Sequence, residues 1–227
     1  MTPAFKKNNY MVIKKAIDPK IAEFAMNYLM MKRQVARTMF DERFISPFTT
    51  EWGVWNDIQA PETYSHYADM VMETMLLKVL PIMEKETGLK LIPTYSYTRI
   101  YKNGDILKRH KDRFSCEIST TMNLGGDKWP IYIEPNPKKG GDTGEGYKSD
   151  YTDGVKVDLK PGDMLVYRGN ICEHWRDKFT GKDCAQVFLH YNNAATKGAK
   201  KNMFDGRPHI GLPSYWQDKV DHSNTDF

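Results

Sequence analysis

The residues best able to do chemistry run from Tyr101-Lys102-Asn103-Gly104-Asp105 to His110-x-Asp112. A third candidate, His174, lies far downstream. Two imidazoles and one carboxylate can occupy one face of an octahedral iron(II), leaving three positions open for a co-substrate and oxygen. His110 and Asp112 sit near the end of a predicted strand, so alternation turns both to one face. His174 falls in a later predicted strand, behind the turn Pro161-Gly162-Asp163. Spacing alone also admits a plainer arrangement, with His174 a hydrogen-bonded core histidine and His110 a surface residue.

Three such residues need a scaffold to bring them together, and the chain is long enough to build one. It has 227 residues, of which 40% are hydrophobic and 27% charged, an ordinary globular balance. The formal net charge of +4 is too small and too evenly spread to argue for nucleic acid. The three cysteines, Cys116, Cys172 and Cys184, are odd in number and form no CxxC pair. They read as buried thiols of a reducing compartment. With no long apolar run and no apolar signal core at the start, the expectation is a soluble, cytoplasmic protein without a membrane partner.

The periodicity predicts a strand over 10–17, then a helix opened by Asp18-Pro19 and running to about 37. Residues 38–60 are mixed. A second helix is predicted from Pro61, carried by Tyr64, Tyr67, Val71, Met75 and Val79, kinked or ended at Pro81 and closed by Gly88. From 91 the period changes to two. Strands are predicted over 94–101, 106–112, 114–124, 129–134, 155–159, 164–167, 171–175 and 184–191. The glycine-rich loop 135–154 is expected to cover the substrate side as a lid. About eight short strands behind two helices imply a mostly β, α+β fold: a jelly-roll, cupin-like barrel, or double-stranded β-helix, backed by N-terminal helices. The expected organisation is one domain over 1–227, with a helical support layer (1–90), a catalytic core (91–192) and an irregular tail (193–227) anchored by Trp216.

Residues 94–192 resemble the iron(II)/2-oxoglutarate-dependent oxygenases, in their prolyl-hydroxylase-like branch. The resemblance rests on Arg99-Ile100-Tyr101, Gly104-Asp105, His110-x-Asp112, Pro161-Gly162-Asp163 ahead of His174, and the closing Gln186-Val187-Phe188-Leu189-His190-Tyr191. It implies that His110, Asp112 and His174 are the metal ligands and the catalytic centre. The implied cofactors are iron(II) and 2-oxoglutarate, with room for ascorbate as reductant. The implied reaction hydroxylates a substrate with release of succinate and CO2. The substrate itself stays open among peptide, amino acid, nucleobase and small metabolite.

The far carboxylate of 2-oxoglutarate needs a cation, and arginine suits it because its fork binds carboxylate bidentately. The family's usual positions hold Asp183, Cys184 and Ala185 here. Two substitutes offer themselves. Lys182 matches the prolyl-hydroxylase register relative to His190. Arg176, two residues after His174, points inward if that strand continues, and is slightly favoured. Tyr101 resembles the tyrosine that hydrogen-bonds the co-substrate, or is a core aromatic. Arg99, Trp129 and Tyr132 are candidates for the substrate side, with Trp175 in the same aromatic wall. His190 is a spare ligand or a bonded core histidine, His66 is structural, and the lysines of 197–201 are solvated. Two other functions compete: a non-enzymatic cupin-like binding module, and a cupin metalloenzyme that does not use 2-oxoglutarate.

Overall fold

The computed structural model describes residues 1–217. Helix α1 (Pro3–Asn8), which the periodicity did not predict, leads into strand β1 (Tyr10–Ile13). Asp18 accepts a hydrogen bond from the Lys20 amide at 2.8 Å, with Pro19 at the first helical position, and α2 (Pro19–Asp41) follows. The helix predicted from Pro61 begins later. Strand β2 (Tyr64–Tyr67) comes first and pairs with β3 (Leu91–Lys102). Ala68, at φ 59°, then turns the chain into Asp69. Asp69 caps α3 (Met70–Thr87) by accepting from the amides of Val71 (3.0 Å) and Met72 (3.2 Å). Pro81 lies inside α3 rather than ending it. Proline lacks the amide that would reach the Leu77 carbonyl one turn back, and Leu77 lies on the exposed side of the helix.

The remaining strands are β4 (Leu107–His110), β5 (Ile118–Gly126), β6 (Ile131–Glu134), β7 (Gly141–Thr143), β8 (Gly146–Lys148), β9 (Val155–Val157), β10 (Met164–Tyr167), β11 (Glu173–Arg176) and β12 (Asp183–Asn193). Six strands form one sheet in the order β1-β10-β5-β12-β3-β2, and four form another, β4-β11-β6-β9. Among the described residues every pairing within these two sheets is antiparallel. The fold is thus mostly antiparallel β-sheet with few helices.

Alternation along the strands separates two interiors. On the six-stranded sheet, Ile118, Met122, Leu124, Met164, Val166, Ala185, Val187 and Leu189 face the helices, where Leu29 of α2 and Met72, Leu76 and Val79 of α3 meet them. Each such aliphatic side chain contributes about 1.5–3 kcal/mol by leaving water. The intervening positions face the second sheet: Leu165 and Tyr167 join Ile131, Ile133, Val157 and Cys172 there. Along β12 the same inward set is Cys184, Gln186, Phe188 and His190. The helices therefore fix the back of the large sheet and free its front for polar residues.

Two further expectations concern segments outside the two large sheets. The 135–154 segment, expected to cover the substrate side, receives hydrogen bonds at its Pro137 and Gly140 carbonyls from Lys111, which lines the cavity described below. The segment carries the β7–β8 hairpin, lines no part of that cavity itself, and is tied by the Tyr147 hydroxyl to Glu173 at 2.9 Å. Glu173 neighbours His174 on β11 and so faces the opposite side of its sheet. Trp216 is 40% exposed and does not anchor the tail; fully buried Arg207 and buried Phe204 do. The part of the predicted tail beyond 217 lies outside the described residues. Among the described residues no helix is long and apolar enough to cross a membrane.

Candidate active site

β4 and β11 lie side by side, with His110 directly opposite His174. Their rings are 4.2 Å apart between centroids. His110 Nδ1 lies 2.7 Å from the Lys108 carbonyl, and His174 Nδ1 lies 3.0 Å from the Cys172 carbonyl. A carbonyl can only accept, so both Nδ1 atoms donate, and in the neutral imidazoles Nε2 is the nitrogen whose lone pair is left for a metal. Those two Nε2 atoms are each 3.5 Å from the same atom, Asp112 Oδ1. The ligand atoms of His110, Asp112 and His174 all lie within 4.8 Å of one another, which makes the group able to hold a metal ion.

Asp112 is aimed from the other side. Its amide donates to the Gly169 carbonyl at 2.9 Å, and its Oδ2 accepts from the Ser119 hydroxyl at 3.0 Å. Gly169 is required here: a Cβ would sit 2.3 Å from Asp112 Oδ2 and 2.6 Å from Ser119 Oγ. Burial pushes the Asp112 carboxyl up, but the His174 and His110 imidazoles outweigh it and hold it well below the ordinary carboxylate range. Burial likewise pushes His174 down, and the facing carboxylate brings it above its usual value. A site that stabilises an anion between two imidazoles is matched to a divalent cation.

The triad opens on a cavity of about 380 Å³. Tyr95, Tyr97, Arg99, Phe188 and His190 line one wall, Leu107, Ile131 and Tyr167 the inner end, and Lys111 and Arg113 flank Asp112. Gln59 also reaches the cavity, from the irregular 38–60 segment. It accepts from Arg99 Nη2 at 2.7 Å, while Asp57 accepts from Arg99 Nε at 2.7 Å and from the Tyr97 hydroxyl at 2.8 Å. Sequence reasoning placed Arg99 here but missed Asp57, Gln59, Tyr95 and Ser119. Only Tyr95 and Ser119 carried a signal, as inward positions of their strands.

The other candidates are distributed differently. Arg176 is 1% exposed and, among the described residues, meets no carboxylate. Its guanidinium donates to the Trp129 carbonyl, to Thr121 Oγ1 (3.3 Å) and to Gln186 Oε1 (3.2 Å), and its Nε has no partner. Burial pulls its pKa down by more than the nearby Cys184, Tyr101 and Tyr167 push it up. It does not itself line the cavity, but Leu107, its partner across β4 and β11, does. Lys182 is exposed on the turn into β12. Tyr101 is fully buried, accepts from Arg99 Nη1 at 3.1 Å and stacks edge-on to Trp129 at 4.7 Å. Trp129 packs against Arg176 and Phe179 rather than lining the cavity. Tyr132 stacks on Trp175 at 5.4 Å, on the outer face that Glu173 shares, so neither forms a substrate wall. His66 is buried 3.3 Å from Asp69, as a structural histidine would be.

No protein-family model and no curated protein matches the chain. Solved structures do. A prolyl-4-hydroxylase from Pseudomonas putida is 12% identical, with 84% of this chain and 96% of that one covered at a TM-score of 0.53. The epimerase SnoN of nogalamycin biosynthesis, solved with Fe3+, α-ketoglutarate and nogalamycin RO, is 12% identical over 84% of this chain and 81% of its own (TM-score 0.58). HygX from Streptomyces hygroscopicus, with nickel and 2-oxoglutarate bound, is 14% identical over 86% and 88% (TM-score 0.55). Iron and 2-oxoglutarate thus accompany the neighbours, and a His–Asp–His group able to hold a metal is present here. The chain has the fold of the non-haem iron- and 2-oxoglutarate-dependent oxygenases.

Proposed function

We propose that this protein is a non-haem iron(II)- and 2-oxoglutarate-dependent dioxygenase on a double-stranded β-helix, prolyl-hydroxylase-like, that hydroxylates a substrate still to be identified. The observation that carries the reading is the convergence of two imidazole Nε2 atoms on one oxygen of Asp112, at 3.5 Å each, beside an open cavity. His110, Asp112 and His174 would hold the metal, and this donor set suits iron(II). Iron and 2-oxoglutarate bound there would supply oxidative decarboxylation of the co-substrate, giving succinate and CO2, coupled to substrate hydroxylation.

The chain's own residues have three tasks. The carbonyls of Lys108 and Cys172 keep both imidazoles in the ligating tautomer. Ser119 and Gly169 hold Asp112 with one oxygen free. Arg176 supplies the counter-charge for the far carboxylate of 2-oxoglutarate, since a guanidinium buried among neutral acceptors has charge left to satisfy. Tyr101, against the same indole, keeps water from that end. The helices of 1–90 act as the support layer and 91–192 as the catalytic core. Three free, buried thiols fit a reducing compartment such as the cytoplasm.

The test is succinate formation from 2-oxoglutarate by iron-loaded protein under oxygen, without added substrate. Wild type should produce succinate slowly. Asp112→Ala should fold and produce none, since it removes a ligand at a cavity mouth rather than core volume. Stoichiometric metal binding without any succinate would instead make the protein a cupin-type metalloenzyme of another class.

A further inference from the structure

A second donor set lies against the first and shares its carboxylate. Asp112, Cys116 and His190 offer ligand atoms that all lie within 4.8 Å of one another. Cys116 closes the 3-10 turn Phe114–Cys116 and is 2% exposed; His190 is an inward position of β12 and is 5% exposed. The function proposed above uses neither.

The orientation of Asp112 shows how one carboxylate can serve two sites. Oδ1 faces both Nε2 atoms of His110 and His174, whereas Oδ2 is turned to Ser119 Oγ at 3.0 Å. The same Ser119 Oγ lies 3.0 Å from His190 Nδ1 and 2.8 Å from the Cys116 carbonyl. Asp112 Oδ2 and His190 Nδ1 thus share one hydroxyl, and Tyr95, whose ring packs 4.5 Å from that of His190, touches the Cys116 thiol. Among the described residues the Cys116 thiol hydrogen-bonds with the Tyr95 hydroxyl, at 3.0 Å, a neutral contact that a metal bond can replace.

The two sets differ in kind. His110, His174 and Asp112 give two nitrogens and an oxygen. Cys116, His190 and Asp112 give a sulfur, a nitrogen and an oxygen, which favours softer ions. We infer that Cys116, His190 and Asp112 Oδ2 form a second metal site, selective for thiophilic divalent ions such as zinc and cadmium, that draws on the carboxylate the first site needs. Binding forms the metal–sulfur bond and breaks the S–H bond, with the proton released to solvent and no change of oxidation state. An excess of zinc then antagonises the first centre through Asp112. The inference rests on the proposed function only in that Asp112 serves both sites.

Metal-free protein titrated with cadmium chloride, without iron or 2-oxoglutarate, tests this through the sulfur-to-cadmium charge-transfer absorption. One equivalent should produce the band in wild type and in Cys172→Ser, and none in Cys116→Ser. His190→Gln should weaken cadmium binding by at least about tenfold. In His110→Ala the band should persist while succinate formation is lost, so the two readings fail separately. Absence of the band in wild type, or its survival in Cys116→Ser, overturns the site. If Cys116→Ser does not fold, cadmium-113 magnetic resonance of the wild type decides: a sulfur-ligated resonance supports the site, and nitrogen and oxygen ligation alone overturns it.

Discussion

Arg176 and Arg207 head the fully buried side chains by volume, at 1% and 0% exposure, and they are provisioned in opposite ways. Arg207 Nη2 donates to both oxygens of Glu73, at 3.1 and 3.3 Å, and to the Thr94 carbonyl at 3.0 Å, while its Nε donates to the Phe204 carbonyl at 2.6 Å. Arg176 finds a carbonyl, a hydroxyl and an amide oxygen and, among the described residues, no carboxylate. A buried cation that brings its own anion locks two parts of the chain together, here the tail and α3. One that meets only dipoles is costly to the fold, and that cost is met when a ligand supplies the missing charge.

The largest expected effect tests the first half of that contrast. Arg207→Ala leaves the buried Glu73 carboxylate without its cation, held among the described residues only by the Ser96 and Gly211 amides, and should cost about 3–5 kcal/mol of unfolding free energy, read from denaturant midpoints. The KM for 2-oxoglutarate of the folded fraction should not move; a large shift would erase the distinction between the two arginines. Arg176→Ala should do the reverse. No carboxylate is stranded, so stability should hold or rise, while the 2-oxoglutarate KM climbs about a hundredfold, roughly 3 kcal/mol. An unchanged KM would mean that neutral donors hold the far carboxylate, or that another co-substrate is used.

Asp69 extends the comparison to a buried anion with partners of its own: it accepts from Lys32 Nζ at 2.6 Å and from the Tyr28 hydroxyl at 2.7 Å, besides capping α3. Burial raises its carboxyl, and His66, Lys32 and Tyr28 together bring it far below the ordinary value. The unfolded chain binds this proton near pH 4, the folded chain only at much lower pH. Its stabilisation is therefore complete above about pH 5 and drains away as pH falls below 4. Asp69→Asn should lose about 2 kcal/mol at pH 7, less at pH 3, and unfold with a shallower acid dependence. The smallest effect belongs to Lys182→Ala: an exposed turn cation should change the 2-oxoglutarate KM by less than about twofold.

The contrast between the two arginines was half legible from the sequence. Arg176 follows His174 at strand spacing, so its inward direction could be read from alternation, and the triad was legible for the same reason. Arg207 sits in a segment without periodicity, and nothing local marks it as buried. Strand period likewise located β10 to the residue. It misplaced the start of α3, because Tyr64 and Tyr67 recur at a helical step yet lie in a strand, where pairing with β3 overrides local pattern. Tyr132 and Trp175 alternated correctly but to the unexpected face, since period two fixes that neighbours differ and leaves open which one is inside. Asp57 and Gln59 come from an irregular stretch, where side-chain direction follows from tertiary contacts alone.

One feature of the cavity wall bears on how the molecule is assembled. Arg113, the residue after Asp112, is clamped by both oxygens of Asp205, at 2.7 and 2.6 Å, across 92 positions of chain. Asp205 and Phe204 are held in the left-handed backbone region, a conformation that the finished surroundings must enforce. During vectorial synthesis the segment holding Asp112 therefore emerges well before the residues that clamp its neighbour. The wall beside Asp112 is thus completed late, after β12 has been made and the tail has folded back over α3.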